Sequence, residues 1–81
     1  MTADQIRKKV LEVLETVVPE LEPGTLRPDR AIRDELDVDS MDLLNFVIGL
    51  SKAFSIDIPE ADYRRIATLD QLVNYLAAKA R

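Results

Sequence analysis

The chain has 81 residues, 15 acidic and 11 basic side chains, a net charge of −4, and neither cysteine nor histidine. A chain of that length predicts one domain over residues 1–81, whose single small core buries about 60 to 65% of the unfolded surface. Disulfides and thiolate metal sites are excluded, the commonest nitrogen ligand is missing, and only carboxylates are left for hard cations. The hydrophobic share of 47% is mostly Leu, Ile, Val and Ala, with no Trp, two Phe and two Tyr, which suits helix-on-helix packing. No apolar run approaches the roughly 20 residues of a membrane span and the N-terminus has no signal-peptide pattern, so a cytoplasmic protein is expected.

The negative charge is unevenly placed. Asp34, Glu35, Asp37, Asp39 and Asp42 fall within nine residues that hold no base, while the remainder has ten acids against eleven bases. Such a field attracts basic partner surfaces and repels phosphate backbones, which argues against nucleic-acid binding.

In chain order, "TADQIRKKVLEVLETVV" opens with Thr2 and has Gln5 three residues on, a capping-box pattern. Ile6, Val10, Val13, Leu14 and Val17 then recur at helical spacing. Pro19 and "EPG" at 22–24 end that helix, and a long connection follows, with Leu26, Ala31, Ile32 and Leu36 as anchors to the core. A connection of this length usually has a function or some local helical structure. A second helix is predicted from about Ser40 to Phe54, and a short third one opens after Pro59, which fits a first helical turn. "TLDQ" at 68–71 repeats the capping-box pattern, and Leu69, Leu72, Val73, Leu76 and Ala80 follow it at helical spacing. The expected fold is an all-α four-helix bundle with three longer helices and one short one.

At about 100° per residue, the second helix carries two apolar stripes. Leu43, Phe46, Val47, Leu50, Ala53 and Phe54 fill one arc and account for the core. Met41, Leu44 and Ile48 lie nearly opposite, bordered by Asn45, Ser51 and Lys52. Either the loop over 25–38 folds across this second stripe, or it is an exposed contact patch.

Ser40 stands one residue before the second stripe starts. Asp39 or Ser40 is a natural N-cap, and Asp42 adds charge near the positive end of the helix dipole. A nucleophilic serine in an enzyme needs an adjacent base, and there is no histidine to supply one. A calcium loop also fails, because Asp42 and Ile48 stand where that motif requires Gly and Glu.

"LDVDSMDLLNFVIGL", residues 36–50, resembles the attachment motif of acyl carrier proteins and the related peptidyl and D-alanyl carriers, usually Gly-x-Asp-Ser-Leu at a helix start. The likeness covers nearly the whole chain and extends through "IDIPEADYRRIATLDQLVNYL". It implies a stand-alone, non-enzymatic carrier on which a phosphopantetheinyl transferase moves 4′-phosphopantetheine from coenzyme A to the Ser40 hydroxyl. In that reading Asp39 helps recognition and cation placement, and the arm's thiol shuttles acyl or aminoacyl thioesters between loading and processing enzymes. Met41, Asp42, Leu44, Asn45 and Ile48 would form the partner-reading face of a monomer. Asp37 departs from the family's Gly, and Asn45, Ser51 and Lys52 depart from the acids that follow in fatty-acid carriers, which points to a specialised pathway. The rival is a helical interaction module with no prosthetic group, in which Ser40 is only a cap.

Overall fold

Helices α1 (Ala3–Val17) and α4 (Leu69–Lys79) start as the two Thr-x-x-Gln patterns require in the computed structural model, which describes residues 1–79. Gln5 N–H donates to Thr2 Oγ1 at 3.2 Å and Thr2 N–H donates to Gln5 Oε1 at 2.8 Å. Thr68 and Gln71 exchange the same two bonds, both at 3.1 Å. Each box satisfies two N–H groups that a helix start otherwise leaves open.

The expected second helix is α3, Ser40–Phe54. α1 packs against both α3 and α4. Ile6, Val10 and Leu14 of α1, Leu50 of α3, and Leu72 and Leu76 of α4 are the most completely buried side chains. Val13 and Val17 are only half-buried, since they flank the stripe. A Cβ on Gly49 would come within 2.8 Å of Val13 Cγ1, so the missing side chain lets α3 approach α1. Ala80 lies outside the described residues.

The connection between α1 and α3 is tied down at several points. Leu21, Leu26, Ile32 and Val38 are buried in the core, whereas Ala31 and Leu36 are half-buried. Ile32 N–H donates to Ala67 O at 2.9 Å and Asp70 N–H donates to Pro28 O at 3.0 Å, clipping the loop onto the start of α4. Within it lies a one-turn helix, α2 (Ile32–Leu36), which sequence periodicity is too short to reveal.

The predicted short third helix starts directly after Pro59 as expected, and what differs is its type and the place of the proline. It is a 3-10 helix over Glu60–Ile66, and Pro59 is its extended N-cap, not its first turn. A 3-10 helix eclipses residues three apart. Tyr63 and Ile66, which both pack on the core, are so spaced.

Candidate functional site

Four consecutive residues deliver the chain into α3, each by a different means. Asp37 takes a left-handed conformation, φ 50° and ψ 41°, as the C-cap of α2. Short polar side chains visit this region more readily than most, which is how an aspartate stands where the attachment motif that it resembles has Gly. Val38 is buried and anchors the turn. Asp39 is the N-cap: extended at φ −86°, its Oδ1 accepts from Asp42 N–H at 2.8 Å. Ser40 is the first residue inside the helix, and it is exposed.

This settles which residue caps. Ser40 does not, because the carboxylate beside it already does so. Among the described residues the Ser40 hydroxyl makes no hydrogen bond, and Asp39 Oδ2 likewise has no partner. The hydroxyl therefore projects from the first turn, close to N–H groups with no intrahelical partner and to the positive dipole end, where a phosphate is favoured. An attached phosphodiester fits this position, because the side chain is exposed and breaks no hydrogen bond among the described residues.

Of the acids singled out in the sequence, Asp34, Glu35, Asp37 and Asp39 are exposed and Asp42 is half-buried. They do not converge, and among the described residues no three His, Cys, Asp or Glu side chains could hold a metal ion.

The second stripe of α3 is uncovered. Met41 is 67% exposed and Leu44 and Ile48 are each 45% exposed, with Asn45 exposed between them. The loop does not fold over them, because its own apolar residues go into the core. On the first stripe Phe46, Val47, Leu50 and Phe54 are buried, and Leu43 and Ala53 are half-buried against them.

Sequence reasoning missed a cleft of about 380 Å³ between α2, α3 and the 3-10 helix, with Leu43, Phe46, Val47 and Ile66 as its apolar bed. Leu43, in the cleft wall, lies about one turn beyond Ser40 along α3. The cleft's lining comes from separate elements, two of them too short to show a period, so no local pattern marked it.

Residues 4–76 match the family described as phosphopantetheine attachment site. The chain belongs to the acyl carrier protein family. An acyl carrier protein of Tropheryma whipplei is 32% identical over 78 residues, covering 91% of this chain and 95% of the relative. One from Chlorobium phaeobacteroides is 28% identical over 79 residues, covering 98% and 100%. In three dimensions the fold is similar to a solution structure described as an acyl carrier protein of Anaplasma phagocytophilum. The TM-score is 0.84 at 22% identity, over 96% of this chain and 91% of that one. Family membership implies covalently attached 4′-phosphopantetheine, and with it, in general, a phosphopantetheinyl transferase and biosynthetic enzymes as partners. No helix among the described residues is long and apolar enough to cross a membrane.

Proposed function

We propose that Ser40 is the attachment residue, and that this chain is a monomeric, non-catalytic cytoplasmic carrier that takes acyl groups between the enzymes of a specialised pathway. The observation that carries the reading is the division of labour at the start of α3: Asp39 caps, and the Ser40 hydroxyl is left exposed and unused. With no histidine in the chain and Asp39 occupied as the cap, the base that activates this oxygen must come from the transferase. The uncommitted Asp39 Oδ2 offers that enzyme an acceptor for a cation or donor beside the reacting hydroxyl.

When bound, the arm supplies a thiol on a flexible tether, which raises the effective concentration of its cargo at each partner's site. Met41, Leu44 and Ile48 form the apolar centre of the partner-reading face, with Asp42 and Asn45 at its rim. Burying three such side chains is worth roughly 1.5 to 3 kcal/mol each, against about 4 to 15 kcal/mol lost on association. Complexes built on this face are short-lived, as a carrier visiting several enzymes requires. The cleft favours an acyl over an aminoacyl cargo, since its bed is apolar, and at 380 Å³ it is near the small end of ligand pockets, about 300 to 1,000 Å³.

The test is incubation with coenzyme A, magnesium and a broad-specificity transferase, followed by trypsin digestion and fragmentation of the peptide spanning 34–52, which holds Ser40 and Ser51. One added arm, located on Ser40, is expected. An arm on Ser51, or none with several transferases on folded protein, would refute the assignment.

A further inference from the structure

The 3-10 helix at Glu60–Ile66 is fastened on one side and open on the other. It packs against α4, where the Tyr75 hydroxyl donates to Asp62 Oδ2 at 2.6 Å. Tyr75 is 4% exposed, and Arg65 closes the contact, 5.4 Å from the Tyr75 ring centre and 3.9 Å from Asp62 Oδ1. On its α3 side the same short helix supplies Tyr63, Arg64 and Ile66 to the wall of the cleft.

The three-residue repeat connects the two sides. With about 3.0 residues per turn, Asp62 and Arg65 form one row and Tyr63 and Ile66 the next. A shift of the first row relative to α4 therefore moves the second relative to α3. The hydrogen bonds within a 3-10 helix are poor, so its position depends on what fastens it from outside. A bond to a carboxylate is stronger than one between neutral groups. Burial, and then the bond to Asp62, push the Tyr75 pKa up to about 12, so the phenol stays a donor at neutral pH.

We propose that the Tyr75–Asp62 hydrogen bond is a strut that sets the width of the cleft, making Tyr75 and Asp62 positioning residues that limit the length of acyl group the cleft admits. This rests on the reading above that the cleft shelters the cargo.

The test compares the full-length protein with Tyr75→Phe and Asp62→Ala, two variants that remove the same bond from opposite sides, the second without touching the buried ring. Amide hydrogen exchange of the 3-10 helix should rise on the order of tenfold in both, while α1 and α3 amides keep their protection. Straight acyl chains of increasing length are then loaded on the arm, and the Val47 and Ile66 methyl resonances are followed by NMR. Both variants should admit chains beyond the length at which wild type stops responding. An equal rise in exchange throughout the chain would overturn the strut, since Tyr75 would then be an ordinary core contributor. Faster exchange in the 3-10 helix with the same limiting length would overturn its control of the cargo. If no chain moves these resonances even in wild type, the cleft reading fails and this proposal with it, whatever the exchange shows.

Discussion

α1 and α4 each begin with a threonine whose hydroxyl accepts the N–H of a glutamine three residues on, while the glutamine returns the bond. α3 begins with an aspartate that accepts from Asp42 N–H, followed by a serine whose hydroxyl bonds to nothing among the described residues. All three starts are capped, so the difference is not one of helix stability. At the first and last helices the hydroxyl is consumed by the fold, and at α3 it is left for chemistry. A side chain that both capped and carried a group would have to give up its cap on modification; here the two tasks fall to neighbours.

The entry to α3 also differs in its backbone, and a substitution there should have the largest effect. Asp37→Val puts a β-branched residue in the left-handed region and should cost about 1 to 3 kcal/mol in urea unfolding. Asp37→Gly should gain up to about 1 kcal/mol. Equal stability of the two variants would mean that this turn does not need its conformation.

Removing a cap should come next. Asp39→Ala and Thr68→Ala should each lose about 1 kcal/mol, read from the same unfolding curves. They should part in modification kinetics. Without Asp39 the Ser40 hydroxyl becomes the nearest replacement cap, so the initial rate of arm transfer should fall, whereas Thr68→Ala should leave it unchanged. Asp39→Asn keeps a capping oxygen and removes the charge. If its rate drops as far as that of Asp39→Ala, recognition of the carboxylate matters more than freeing the hydroxyl.

The bond between the 3-10 helix and α4 gives a pH dependence that the helix starts do not share. The Tyr75 pKa is raised from its ordinary 10.0 to about 12 in the folded chain, so the unfolded state loses this proton first as pH rises. Its contribution is complete below pH 10, declines from there, and is lost as pH passes about 12. Urea midpoints of wild type and Tyr75→Phe should therefore converge between pH 10.0 and about pH 12. A constant gap would contradict the shift.

The smallest effect on stability is expected at the exposed stripe. Leu44→Asp and Ile48→Asp should each change unfolding free energy by no more than about 0.5 kcal/mol while abolishing acyl transfer to partner enzymes. Added salt should weaken partner binding only modestly, because the face is apolar at its centre. Unfolding of either variant would mean that the stripe belongs to the core.

What the sequence could show follows from the range of each signal. The three long helices and both Thr–Gln boxes were legible, because a 3.6-residue period and a three-residue capping pattern are local. The second stripe of Met41, Leu44 and Ile48 was legible from its angle on α3, but whether the loop covers it was not, because that depends on where the loop's own apolar residues go. The choice between Asp39 and Ser40 as cap was not legible, since both residue types cap well and the outcome depends on where the preceding turn points. That turn is set by the left-handed Asp37 and the buried Val38, and by clips from the loop to Ala67 and Asp70 that lie more than thirty residues away in sequence. α2 and the 3-10 helix are too short to show a period. The Tyr75–Asp62 bond spans thirteen residues between two elements, and only their packing reveals it.

The most direct measurement sets Ser40→Ala beside Thr68→Ala, each assayed for arm attachment by intact mass and for stability by urea unfolding. Ser40→Ala should lose attachment completely and stay within about 0.5 kcal/mol of wild type, while Thr68→Ala should keep attachment and lose about 1 kcal/mol. Attachment that persists in Ser40→Ala, or a stability loss there as large as in Thr68→Ala, would contradict the division between a consumed hydroxyl and a free one.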